Sequence, residues 1–151
     1  IKRYYKSEMK KEKLTFLKPE KGNKLGQWLV EQGISAGFPS PADDFKEIRI
    51  SLDKELVKNQ ESTFYAKVSG DSMIGAGLDD GDLLVIDRSL SPENGKIAVC
   101  LVDGDFTVKR IKKEKDKFYL MPENKKYKPI EIIEDSELII WGVVEYVIKK
   151  V

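Results

Sequence analysis

The sequence contains no histidine. That excludes Ser-His-Asp triads, Cys-His nucleophile pairs and zinc held by imidazole. It contains one cysteine, Cys100, so no intramolecular disulfide and no paired-cysteine metal site can form. A single cysteine fits a reducing compartment. No apolar run approaches the ~20 residues needed to cross a bilayer. The longest near the C-terminus, Leu138 to Trp141, has the length of a strand. No secretory signal is visible, and the chain opens on Ile1 rather than Met, which leaves room for residues upstream. Any general base must therefore be Lys, Asp, Glu or Tyr. No metal or cofactor is expected.

What is present suits one domain. The chain has 151 residues, 40% of them hydrophobic and 35% charged, so a core and a solvated surface can both form. The net charge of +1 is unevenly spread. Residues 1–25 hold nine basic and three acidic side chains, whereas residues 37–151 hold 18 basic and 22 acidic. Two readings of the basic start stand: a segment that touches nucleic acid, or a solvated arm. A solvated arm is expected, without direct DNA binding.

The first 24 residues are lysine-rich and poorly periodic, with Pro19 and Gly22 as breakers. Leu25 to Gln32 reads as a short helix, because Leu25, Trp28 and Leu29 fall at i, i+3 and i+4 and Gly33 supplies a stop. The segment Gly33-Ile34-Ser35-Ala36-Gly37-Phe38-Pro39-Ser40-Pro41 follows. Its glycines and prolines predict an extended, accessible linker. Asp53 to Gln60 suits one or two helical turns.

From Thr63 the period becomes two. Strands are predicted at Phe64–Ser69, Asp82–Asp87, Lys96–Val102, Phe106–Ile111, Phe118–Met121, Pro129–Ile133, Glu137–Gly142 and Val143–Ile148. Asp103-Gly104-Asp105 marks a hairpin, and Asp79-Asp80-Gly81 and Asn94-Gly95 mark turns. The charge run Lys112–Lys117 reads as a solvated hairpin tip. No internal repeat is present.

With histidine absent, nucleophilic chemistry needs a Ser, Thr or Cys beside a lysine. A lysine becomes a base only when its neutral form is accessible, and desolvation favours that form. Ser69-Gly70-Asp71-Ser72-Met73 offers a serine on a tight turn, whose backbone amides can converge on an oxyanion. Phe106-Thr107-Val108-Lys109-Arg110 places Lys109 in mid-strand, on the same face as Thr107. Spacing alone does not decide the matter, because Gly-Asp-Ser turns are common and most strand lysines are surface residues.

The runs FYAKVSGDSM, DDGDLLVID, VDGDFTVKR and WGVVEYVIK, in this order, resemble the self-cleaving Ser/Lys peptidase domain shared by LexA-type repressors and UmuD-type mutagenesis proteins. The resemblance covers roughly residues 36–150. The string GFPSPA at Gly37–Ala42 resembles the cleavage region of the UmuD type.

The resemblance implies a mainly β fold. It is a compact antiparallel β peptidase domain of the LexA/UmuD type, with an extended, partly helical N-terminal arm. It implies that Ser72 is the nucleophile and Lys109 the general base, with 37 positions between them as in the family. The Ala36–Gly37 bond would be cut, and the backbone amides of Asp71 and Ser72 would form the oxyanion hole. Residues 1–36 would then be the removed arm, 37–62 a retained linker, and 63–151 the peptidase and dimerisation domain.

The implied setting is the bacterial cytoplasm and the SOS response to DNA damage. A RecA filament on single-stranded DNA would trigger cleavage. The processed homodimer would serve an error-prone Y-family DNA polymerase of the UmuC type, with no membrane involved. Only 36 residues precede Gly37, too few for a winged helix-turn-helix domain, which favours the UmuD type over a repressor. A longer N-terminus would restore a LexA-like or phage-type repressor.

Side-chain chemistry agrees with that reading. Ala36 and Gly37 are small enough for a narrow cleft, and Ile34 offers an apolar anchor. About 25 residues separate Gly37 from the first core strand and could span ~80 Å when extended, enough for cleavage in cis or in trans.

Two other readings are open to the sequence. A type I signal peptidase shares a Ser/Lys pair but needs a membrane anchor. An inert dimerisation module would ignore the coincidence of Ser72, Lys109 and Ala36-Gly37. Cys100 and Met73 read as packed apolar residues, and Trp28 and Trp141 as packing anchors. Asp79, Asp80 and Asp82 around Gly81 read as a solvated turn rather than a cation site. The terminal strand Val143–Ile148 is the candidate dimer edge.

Overall fold

The computed structural model describes residues 15–19, 27–30 and 47–151. The elements are β1 (Thr15–Leu17), β2 (Gln27–Val30), β3 (Glu47–Ile50), α1 (Leu52–Leu56), β4 (Thr63–Lys67), a single 3-10 turn (Ile74–Ala76), β5 (Leu83–Asp87), β6 (Ile97–Val102), β7 (Asp105–Glu114), β8 (Lys117–Met121), β9 (Ile130–Ile132) and β10 (Leu138–Ile148). Eight strands form one sheet in the order β1-β4-β5-β10-β6-β7-β8-β9, and β2 pairs with β3 apart from it. Every pairing is antiparallel. The mainly β expectation is met.

Hairpin chemistry sets the register around the site. β6 and β7 are joined by Asp103 and Gly104 alone, and Val102 faces Asp105. Both loop residues have positive φ, 46° and 87°, the backbone of a type I′ turn. This register places Cys100 opposite Thr107 and Ala98 opposite Lys109. The predicted solvated tip is the exposed turn Lys115-Asp116 between β7 and β8.

Alternation along β6 and β7 feeds two apolar clusters. Val99 and Val108 join Ala66, Met73, Leu78, Leu84 and Ile86. Ala98, Cys100 and Ile111 join Leu120 and Ile130. Thr107 and Lys109 share the parity of Ile111, so two polar side chains enter an otherwise apolar row.

Two sequence expectations change. The helix predicted over Leu25–Gln32 is, in its described part, strand β2. Gln27–Val30 pairs with Glu47–Ile50, and that ladder outweighs a spacing argument built on three residues. Within 37–62, the helical turns expected over Asp53–Gln60 appear as α1, and β3 precedes them. The two strands predicted either side of Gly142 are one, β10, which pairs with β6 through its first half and β5 through its second. Gly142 lies at a register shift, and a Cβ there would stand 2.5 Å from Ile86 Cγ2. The glycine marks a bulge pressed against β5 rather than a chain break.

Among the described residues no helix is long and apolar enough to cross a membrane.

Candidate active site

Ser72 sits in the turn between β4 and the 3-10 segment. Gly70 supplies the sharp bend with φ 107°, and its amide is held by Asp80 Oδ1 at 2.9 Å. Met73 follows and is buried in the first apolar cluster, which pins the turn to the sheet. Ser72 is 3% exposed and Lys109 5%. The structure brings them together: Lys109 Nζ lies 3.0 Å from Ser72 Oγ.

Two further acceptors surround the lysine. Nζ donates to Thr107 Oγ1 at 2.6 Å and to the Val108 carbonyl at 3.0 Å. The sequence put Thr107 on the lysine's face but gave it no part. Its hydroxyl is wholly buried beside the amine. Cys100 lies opposite it across the ladder, and burial pushes the thiol up to about 12, against a smaller downward pull from the Lys109 charge.

The serine turn is also gripped by the connection between β8 and β9, which no sequence motif marks. Asn124 Nδ2 donates to the Asp71 carbonyl at 2.9 Å, and the Tyr127 hydroxyl donates to the Asp71 carboxylate. The Glu123 amide donates to the Ser72 carbonyl at 2.9 Å, and the Gly75 amide returns a bond to the Glu123 carbonyl at 2.7 Å. Glu123 is ion-paired with Arg110, the residue after the lysine. A Cβ on Gly75 would fall 2.5 Å from the Glu123 carbonyl oxygen, so only glycine allows this approach.

These contacts fix the peptide plane between Asp71 and Ser72. In a trans peptide the carbonyl and the next amide point in opposite directions. Holding the Asp71 carbonyl on Asn124 therefore sets the direction of the Ser72 N–H. Asp71 lies 53 positions from Asn124 and 56 from Tyr127. No local pattern could signal such contacts.

Ala36 and Gly37, the expected cleavage site, lie outside the described residues, as do Ile34 and residues 1–13. Asp79 and Asp82 are bridged by Lys149, which ties the end of β10 to the turn before β5. Burial pulls the Asp82 carboxyl upward. The Lys149 hydrogen bond, the Asp79 amide and the Lys149 charge outweigh it and hold the group below its ordinary value.

The family described as Peptidase S24-like matches residues 29–145. Protein MucA of Salmonella typhimurium is 41% identical over 116 residues, covering 76% of this chain and 79% of its own. Protein SamA of Salmonella typhimurium strain LT2 is 40% identical over 122 residues, covering 81% and 84%. The LexA repressor of Clostridium acetobutylicum is 41% identical over 106 residues, covering 70% of this chain and 52% of its own.

Proposed function

This chain belongs to the Peptidase S24-like family, and we propose that it cleaves itself between Ala36 and Gly37 with Ser72 as nucleophile and Lys109 as general base. The observation that carries the reading is the 3.0 Å approach of two buried side chains, Lys109 Nζ and Ser72 Oγ.

The three contacts of Lys109 suit both ends of a proton transfer. A neutral amine has two N–H donors and one lone pair. The Val108 carbonyl can only accept, and Thr107 Oγ1 takes the second N–H. The lone pair then faces the Ser72 hydroxyl. Ser72 gives its proton to Nζ as its oxygen attacks the Ala36 carbonyl carbon. The resulting ammonium donates in all three directions and returns one proton to the Gly37 nitrogen as the peptide bond breaks. Water, giving its proton to Lys109, then attacks the Ser72–Ala36 ester, and Lys109 returns that proton to Ser72 Oγ as the ester bond breaks. The amides of Asp71 and Ser72 receive the oxyanion, with Asn124 fixing the second of them. Placing the cleavage segment over the lysine expels water and favours the neutral amine.

Residues 1–36 are then the removed arm, 37–62 the retained connection, and 63–151 the peptidase and dimerisation domain. In this reading the protein acts in the SOS response in the bacterial cytoplasm. A RecA filament on single-stranded DNA favours the docked arrangement, and the processed homodimer serves a Y-family DNA polymerase of the UmuC type. The similarity to MucA and SamA over most of their lengths supports it. Sequencing the N-terminus of the larger product tests the site: Gly37 is expected, and any other first residue contradicts it. Faster cutting with RecA filament tests the trigger.

The 41% identity to a LexA repressor keeps a second reading, a self-cleaving repressor. Sequence-specific operator binding by the uncut protein would favour it.

A further inference from the structure

Two strands from the segment before Ala36 are paired with strands from the segment after Gly37. β1 adds to the edge of the main sheet, with Thr15, Phe16 and Leu17 opposite Lys67, Ala66 and Tyr65 of β4. β2 pairs with β3 over four residues, Gln27 to Val30 against Glu47 to Ile50. The expected scissile bond lies in the connection between β2 and β3.

Phe16 anchors the first of these ladders. Its ring lies 4.4 Å from that of Trp141 and 4.9 Å from that of Phe106, tilted against both. It packs on the core cluster that holds Ala66, Leu84 and Val99. Leu17, the next residue, is 54% exposed, as strand alternation requires. Lys18 Nζ then lies 5.0 Å from the centre of the Phe64 ring. A short edge strand with one buried aromatic side chain is how an extended peptide is recognised by a sheet edge: the main chain supplies the ladder and the pocket supplies selectivity.

We propose that cleavage leaves a nicked but assembled protein, in which the excised arm remains a non-covalent ligand of β3, β4 and the Phe106–Trp141 pocket until it dissociates. This rests on the self-cleavage reading for the position of the nick. Cutting the chain removes no ladder and no ring contact. It removes the tether, and with it an effective local concentration on the order of millimolar. Arm release is therefore a separate, concentration-dependent step after the chemistry. Only that step uncovers the β4 edge and its aromatic pocket, an exposed edge of the kind that takes up another extended segment.

The test starts from the full chain. After self-cleavage, native mass spectrometry and gel filtration across a dilution series follow the 36-residue and 115-residue pieces. They are expected to travel together at high concentration and separate on dilution. Phe16→Ala should shift that separation to a concentration about tenfold higher or more, the loss expected for one buried phenyl ring. Leu17→Ala should leave it near wild type. Complete separation at every concentration, or co-migration indifferent to Phe16→Ala, overturns the proposal.

A second measurement does not need cleavage. In full-length Ser72→Ala, amide exchange over Tyr65–Lys67 should quicken when Phe16→Ala is added, and unchanged protection overturns the seat. If wild type never cuts while this exchange effect appears, the cleavage reading fails and the strand seat stands.

Discussion

Lys109 Nζ stands closer to Thr107 Oγ1, at 2.6 Å, than to Ser72 Oγ, at 3.0 Å. The threonine thus orients the amine toward the serine rather than merely filling space beside it. Thr107→Val keeps the shape of the side chain and removes the acceptor. One buried N–H then loses its partner, at a cost of about 1–3 kcal/mol. Self-cleavage should slow about tenfold or more at all pH values, with the fold retained. Cleavage time courses read beside thermal melting check this. A normal rate would show that Val108 and Ser72 suffice to aim the lysine.

Asn124 makes a separable contribution. Asn124→Asp keeps the acceptor that its Oδ1 offers to the Lys126 amide at 3.0 Å, but turns a carboxylate oxygen on the Asp71 carbonyl. Cleavage should fall about 10²-fold, the scale of losing one oxyanion donor. The loss should persist on the high-pH plateau of its pH–rate profile, because the new carboxylate can raise the midpoint by favouring the ammonium but supplies no donor. Tyr127→Phe should have a smaller effect of the same kind. A shifted midpoint with an unchanged plateau would assign Asn124 to the base instead.

Gly75→Ala tests the approach of the β8–β9 connection. A Cβ there must displace the Glu123 backbone, at a cost of about 1–3 kcal/mol for overpacking. Lower melting temperature and slower cleavage should appear together. If stability alone falls, the Glu123–Ser72 bond is not needed to hold the nucleophile.

The turns and register of the candidate site were legible in the sequence for a local reason, whereas the pairing of Ser72 with Lys109 was legible only through the family resemblance. Gly70 and the Asp103-Gly104 turn declare themselves by residue type, and the hairpin register then brings Thr107 and Lys109 onto one row. Asn124, Tyr127 and Glu123 were not legible. Their partners lie on the far side of the sheet order, and a Pro-Glu-Asn connection looks like any polar turn. Gly142 misled for the opposite reason: a glycine inside a strand reads as a break, whereas here it answers to the Ile86 methyl group. β2 misled because three apolar residues at helical spacing also suit a strand once a partner is present.

Acid should destabilise the fold in a defined window. Asp87 is raised by burial but lowered more by Ser89 and Ser62 hydroxyls, the Ser89 amide and the Lys58 charge. Asp82 is likewise held below 3.8. Groups depressed on folding contribute stability above their unfolded value and lose it as pH falls through the folded one. Stability should therefore drop below about pH 4, and the Asp82→Asn/Asp87→Asn pair should show a shallower drop from a lower start. Denaturant titrations between pH 2 and 6 decide it, and equal slopes would contradict the assignment.

Cys100 should behave as an inert thiol. It is fully buried, and its thiolate is disfavoured until about pH 12. Alkylation by iodoacetamide at neutral pH should wait for unfolding and so follow the global opening rate. Rapid labelling of the native chain would show that the β6–β7 ladder opens locally.

The most direct measurement is intact-mass spectrometry of the purified chain incubated from pH 7 to pH 10, beside Ser72→Ala and Lys109→Ala. A 115-residue product beginning at Gly37 should appear in wild type, faster as pH rises and neutral lysine becomes more abundant, while both variants stay whole. Activated RecA filament is added where the wild-type rate is slow. A wild type that stays whole throughout, or a Lys109→Ala variant that cuts at the wild-type rate, would contradict the Ser72–Lys109 account.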